Sequence, residues 1–290
     1  VCQATAPPGR QSWYPVVPFL VIAACTLIVT PSMFTPEQLL CTAVDAPHFY
    51  YRLHEIEWLS DRGVLWPRWG PNLSYGYGYP VFHYYGSLAF YPSLILHKVG
   101  LSLLTSFQAG FWLALVCSGW ATFLWLRRVT RDDRAAVLGA IVYIYIPYHL
   151  NATLYRWNLP EPWAMVFPPL ALYGLHRLAD TPDRRSVALT ALSCAALVLT
   201  SNLATIVFVP LLATYALLLL ILNTGRKRLF GYLVSAAGLA LALCAFFVIP
   251  AFVDRDAIQI TRGVSTGGTN IYNHFLPLHR LLTQPLSADP

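Results

Sequence analysis

Two acids stand where chemistry could happen. Asp45 lies in "VDAPH", and Glu161 lies between two prolines in "RWNLPEPW". Each marks the boundary of a long apolar run. A carboxylate pair on one face of a membrane bundle can act as general base toward a hydroxyl, or hold a divalent cation such as Mg or Mn. Plainer roles also fit them. Asp45 suits the N-cap of a following helix and Glu161 a helix-start acid at the interface. The other acids among the chain's thirteen have simpler settings. Asp132, Asp133, Asp180 and Asp183 sit in basic loops. Glu55, Glu57 and Asp61 lie on an amphipathic segment, read as solvated or arginine-paired. Glu37 opens "TPEQLL", and Asp254, Asp256 and Asp289 follow the last apolar run.

Around the pair, Arg52, Arg68 and Arg156 can bind a phosphate, because guanidinium offers two parallel hydrogen bonds. Each alone is more often an interfacial anchor. Tyr75, Tyr77 and Tyr79, spaced by glycines in "SYGYGYP", read as an interfacial belt or as rings that stack on sugar. With His83 and Tyr84 they make "SYGYGYPVFHYY" a candidate wall toward sugar or lipid. His48, three residues after Asp45, can share its site, and His149 and His274 fall on the same side. No two histidines have zinc spacing. The six cysteines also lack metal-ligand spacing and read as small buried hydrophobes.

The elements that must position these residues are apolar helices. The chain is 57% hydrophobic and only 11% charged, with a mean hydropathy of +0.53, where an ordinary soluble domain is about a quarter charged. Runs such as "LFGYLVSAAGLALALCAFFVIPAF" are long enough to cross a bilayer, which takes about 20 residues. The reading is an all-α polytopic membrane protein. Spans are expected near 14–33, 105–126, 135–150, 162–178, 186–203, 205–222 and 230–252. The first is taken as a retained span. The formal charge of +6 gathers in short loops: "RRVTRDDR", the loop with Arg177, Arg184 and Arg185, and "GRKR". That pattern follows the positive-inside rule and excludes nucleic acid as the partner.

These loops share one side only if 80–104 does not cross. It is therefore expected to lie on, or dip into, the outer leaflet. The parity places the N-terminus inside and 34–104 outside as one long first loop. Within it, Phe49, Leu53, Ile56 and Leu59 form a helical stripe over 46–62, expected to lie flat at the membrane surface. Residues 1–253 make a transmembrane module. Residues 254–290 read as the truncated start of an extracytoplasmic segment.

The stretch "DAPHFYYRLHEIEWLSDRGVLWPRWGPNLSYGYGYPVFHYYGSLAFY" resembles a bacterial membrane family labelled 6-pyruvoyl-tetrahydropterin-synthase-related, as do "RWNLPEPWAM" and "FFVIPAFVDRD" with "YNHFLPL". Nothing in the chain resembles the soluble pterin enzyme. The order of elements also looks like the GT-C superfamily of glycosyltransferases that use polyprenyl-phosphate-linked sugars. That resemblance implies a GT-C-like bundle of about seven transmembrane helices in the bacterial inner membrane, with its active face outside. Asp45 would be catalytic base or metal ligand, with Glu161 as second acid. The sequence departs from the commoner pattern in carrying one acid, not two, at the first position. The implied activity is inverting transfer of a sugar from a polyprenyl-phosphate donor to an extracytoplasmic acceptor. The alternative is a non-catalytic membrane protein, either a transporter of a lipid-linked substrate or a structural subunit of a membrane complex. Spans almost free of fixed charge argue against an ion-coupled carrier.

Overall fold

The computed structural model describes residues 16–31 and 45–258, and among these the protein is all-helical. Twelve α-helices follow in order: α1 (Val17–Val29), α2 (Ala46–Ser60), α3 (Val81–Tyr84), α4 (Tyr91–Lys98), α5 (Leu103–Thr130), α6 (Asp133–Tyr145), α7 (Pro147–Leu150), α8 (Pro160–Ala164), α9 (Phe167–Asp180), α10 (Arg184–Thr200), α11 (Asn202–Leu222) and α12 (Arg226–Val253). A π-turn, Asn151–Tyr155, extends α7.

Three helices, α5, α11 and α12, are long and apolar enough to cross a membrane. The count rises to four if α6 and the α7 segment, bent by 51°, form one broken span. The expected spans at 14–33, 162–178 and 186–203 correspond to shorter helices. The helix α1 has 13 residues, α9 has 14 and α10 has 17. At 1.5 Å per residue α1 reaches about 20 Å, short of a hydrocarbon core of about 30 Å. In the fourth expected span a break at Met165 and Val166 separates α8 from α9. The segment 80–104 is likewise broken. Its longest helix, α4, has eight residues and extends about 12 Å.

Local chemistry sets the helix starts. Ser102 accepts from Thr105 N at 3.1 Å, Asp183 from Ser186 N at 2.6 Å, and Ser201 from Ala204 N at 3.3 Å. Each supplies a partner to an N–H that the helix itself cannot satisfy. Ser201, extended at φ −153° and ψ 119°, both ends α10 and caps α11.

Packing centres on α5. Its Phe107 and Phe111 are fully buried with Trp157, Leu53, Ile56 and Phe82 in one cluster. Two long-range hydrogen bonds tie α1 down: Trp120 Nε1 donates to Phe19 O at 3.1 Å, and Tyr145 Oη donates to Cys25 O at 2.8 Å. Conversely, α11 presents Leu203, Ile206, Val207, Leu217 and Leu222 outward. A helix so apolar and so exposed has the face that lipid would cover. Residues 245–290 form a second compact unit. Its described part carries α12 to Val253 and closes in a turn where Arg255 stacks on Phe252 at 4.4 Å.

Helix α2 differs from the expectation of a flat surface helix. Its stripe, Leu53, Ile56 and Leu59, packs into the protein core. Glu55 is buried at 2% exposure, not solvated. Its carboxylate accepts from Asn72 N at 2.9 Å and Asn72 Nδ2 at 3.1 Å. The carboxylate therefore pins the next loop, where Gly70 and Tyr79 exchange both backbone hydrogen bonds. Gly78 sits at φ +83°, and a Cβ there would lie 2.4 Å from the Trp69 indole nitrogen. Only glycine meets both demands.

Candidate functional site

The site is built on the broken stretch between α6 and α9. Pro147 ends α6, since its ring disfavours helical geometry in the residue before it. The π-turn then lets Arg156 N bond Asn151 O at 2.9 Å. Trp157 follows at φ +55°, a left-handed conformation costly for a bulky residue. Its indole is held in place: Nε1 donates to Leu154 O at 3.0 Å, and the ring packs edge-on to Phe111 at 5.6 Å. With that ring anchored inward, the residues on either side of it turn toward the carboxylates.

Arg156 bridges the two acids. Its Nε and Nη2 donate to Asp45 Oδ2 at 3.1 and 2.8 Å, and its Nη1 donates to both Glu161 oxygens at 3.0 and 3.1 Å. Asp45 N also donates to Arg156 O at 2.9 Å. Asp45 does occupy the N-cap position of α2, but its side chain makes no cap bond and turns Oδ2 to the guanidinium instead. Glu161 accepts further from Tyr148 Oη at 2.9 Å and Asn158 Nδ2 at 2.9 Å. The Glu161 side chain is 9% exposed and that of Asp45 23%. Burial works against the charge on Arg156, but Glu161 and Asp45 outweigh it and hold its pKa above the ordinary value.

These groups line a cavity of about 410 Å³ with His48, Phe49, Arg52, Tyr85, Ser201 and Asn202. Arg52 stacks over Phe49 at 5.0 Å and Tyr85 at 5.5 Å. It forms no ion pair among the described residues. Burial lowers its pKa, partly offset by Tyr85, Tyr79 and Asp45. Thus Arg156 is electrically committed, and Arg52 is the cation left facing the chamber. At Gly86 a Cβ would come within 2.1 Å of Leu199 O, so only glycine lets this wall close against the end of α10.

An apolar cleft of about 420 Å³ adjoins the chamber. Ile146, Tyr148, Met165, Ala204, Val207 and Phe208 line it, and it shares Glu161 and Leu203 with the chamber.

The structure therefore brings Asp45, Glu161, Arg156, Arg52 and His48 together. Of the other sequence-predicted residues, Arg68, Tyr77, Tyr79, His83, Tyr84 and His149 lie off the cavity wall. Arg68, Tyr77 and Tyr79 are exposed, although the Tyr79 hydroxyl is near enough to act on Arg52. His83 packs edge-on to Tyr84 at 4.8 Å, and Tyr84 O accepts from Asn202 Nδ2. His149 is fully buried, its Nδ1 3.4 Å from Tyr143 O. His274 lies outside the described residues. Sequence reasoning missed Tyr148 and Asn158; Tyr85 closes the "SYGYGYPVFHYY" stretch, which lines the cavity through Val81, Phe82 and Tyr85. The one local signal was Asn158, three residues before Glu161 and just ahead of the helix that carries it.

A divalent cation shared by the two acids does not fit this arrangement. The guanidinium already bonds Asp45 Oδ2 and both oxygens of Glu161. Among the described residues no group of three or more His, Cys, Asp or Glu could hold a metal.

Comparison with known proteins places the chain. The profile of the 6-pyruvoyl-tetrahydropterin synthase related domain, described as a membrane protein, matches residues 82–270, well over half of the chain. The chain belongs to that family. An uncharacterized protein of Lactococcus lactis subsp. cremoris (strain MG1363) is 26% identical over 202 residues, covering 67% of this chain. The chain spans about a third of that relative's length, 33%. The matched family region contains Glu161, Arg156 and Asn158 but starts after Asp45 and Arg52.

Proposed function

We propose that the protein is a membrane glycosyltransferase of GT-C type, moving a sugar from a polyprenyl-phosphate donor to an acceptor outside the cytoplasm. The observation that carries this reading is a charged chamber set beside an apolar cleft, with Glu161 and Leu203 lining both. That pair of spaces matches an amphiphile with a polar, anionic head and a hydrocarbon chain. In this reading the lipid chain lies in the cleft and the phosphate meets Arg52. Asp45 is more exposed than Glu161, and its Oδ1 is free of the guanidinium among the described residues. It takes the proton of the acceptor hydroxyl as that oxygen bonds the anomeric carbon. The bond from that carbon to the phosphate oxygen breaks, the lipid phosphate leaves on Arg52, and the configuration inverts. Glu161 and Arg156 hold Asp45 in place.

The bundle is read as seven spans in a bacterial inner membrane, with the N-terminus inside and the chamber outside. The three basic loops support this orientation. The test is release of labelled sugar from a polyprenyl-phosphate hexose by the full-length protein in proteoliposomes supplied with envelope lipids. Asp45→Asn is expected to slow release by about a hundredfold or more, the scale of a lost general base. Unchanged turnover in that variant, or no turnover by the native protein, rejects the reading.

A further inference from the structure

The strongest charge on the molecule lies away from the chamber, where six helix ends meet. Loop 127–134 joins α5 to α6, loop 177–185 joins α9 to α10, and loop 223–228 joins α11 to α12. Side chains tie the three together. Arg128 Nε donates to Asp180 Oδ2 at 3.1 Å, linking the first loop to the second. Asn223 Nδ2 donates to Ala179 O at 2.9 Å, linking the third to the second. The three loops hold ten basic and four acidic residues, a surplus of six, which equals the formal +6 of the whole chain.

The acids do not neutralise the outermost cations. Asp133, Asp180 and Asp183 pair with Arg127, Arg128 and Arg177 at 2.7, 3.0 and 3.3 Å. Asp132 accepts from the backbone N–H of Arg134 at 2.8 Å. Arg131, Arg134, Arg184, Arg185, Arg226, Lys227 and Arg228 remain exposed. Arg226 donates to Ile221 O, and Arg228 stacks near Tyr232. The other five have no side-chain partner among the described residues.

We infer that this rim is a binding surface for anionic phospholipid headgroups. Two features favour a lipid over a free anion. The rim caps the ends of α5, α11 and α12, the helices long enough to cross the bilayer, so it stands at headgroup depth. Large apolar side chains lie within about a turn of the cations on the same helix ends. Val129, Ile221, Leu222 and Phe230 are 44, 53, 71 and 57% exposed. A phosphate on the arginines and its acyl chain along these residues would satisfy both halves of the surface.

The test uses the full chain in zwitterionic detergent, given equal phosphatidylglycerol and phosphatidylcholine of the same acyl length. Retained lipids are counted by native mass spectrometry. The native protein is expected to keep phosphatidylglycerol preferentially. The variant R131Q/R134Q/R184Q/R185Q is expected to lose that preference on the order of tenfold or more, since each cation near an anionic surface contributes about fivefold. Its melting temperature should match the native one, because these side chains lack partners. Equal retention of both lipids by the native protein overturns the inference, as does a preference unchanged in the variant. Displacement of phosphatidylglycerol by excess inorganic phosphate, with the acyl chain adding nothing, assigns the rim to a free anion and also overturns it.

Discussion

Arg156→Met removes the guanidinium between two carboxylates while keeping the apolar stem, so its effect isolates the charge. Taking one partner from a fully buried ion pair costs about 3–5 kcal/mol. Here the Asp45 half is screened: Arg156 is 36% exposed and Asp45 23%. That half should fall near the surface scale of about 1 kcal/mol or less. Glu161, at 9%, loses two charge-assisted bonds but keeps those from Tyr148 and Asn158. Its share is about 1.5–3 kcal/mol. The sum is roughly 2–4 kcal/mol. At about 2–4 °C per kcal/mol for a chain of this size, melting in detergent should drop by roughly 4–16 °C, read by tryptophan fluorescence. A double-mutant cycle sharpens the test. Arg156→Met should couple to Glu161→Gln by about 1–2 kcal/mol, and to Asp45→Asn by less. Additivity with Glu161→Gln within about 0.5 kcal/mol, or stronger coupling to Asp45, would refute the division of labour.

Two further outcomes follow from helix α2 and the loop after it. Glu55→Ala leaves Asn72 without its buried acceptor, at a cost of about 1–3 kcal/mol. The released loop should be cut by chymotrypsin at Tyr75 and Tyr77 well before the native one. Equal cleavage rates would show that the carboxylate does not hold the loop. Asp61 is held below the ordinary carboxylate range by its hydrogen bond from Lys98. A depressed folded pKa means the tie between α2 and α4 is fully present above the unfolded value near about 3.9. It is lost as pH falls through the lower folded value. After correction for the pH dependence of intrinsic exchange, amide protection over 91–98 should therefore fall on acidification below about pH 4 in the native protein. In Asp61→Asn that protection should already be reduced at neutral pH and vary little with acid; identical profiles would dismiss the tie.

How much was legible from sequence depended on range. Ser102, Asp183 and Ser201 are local caps that act within three residues, so the helix starts they set can be read from composition. The two acids stand out because few other charges share their apolar surroundings. That one guanidinium joins them could not be read, because Arg156 is 111 positions from Asp45. Its own neighbours, Tyr155 and Trp157, look like an aromatic interface. Glu55 misled for a related reason. By periodicity it falls off the apolar stripe of α2, and only Asn72, 17 positions on, makes its burial tolerable. Tyr148 stands just past a helix break at Ile146 that the expected span 135–150 runs straight through.

The π-turn before Arg156 has a consequence for chain length. Each residue of a regular helix advances the side chains by about 100°. The five residues Asn151–Tyr155 close their turn with a bond from Arg156 N to Asn151 O, one position longer than an α-turn. Deleting any one of them would restore ordinary helical pairing and swing Arg156 about a quarter-turn away from both acids. Substitutions along 151–155 can leave that angle in place, even where they cost packing, as at the buried Ala152 and Thr153. A change in their number cannot, so this short stretch keeps the angular frame for the charged chamber.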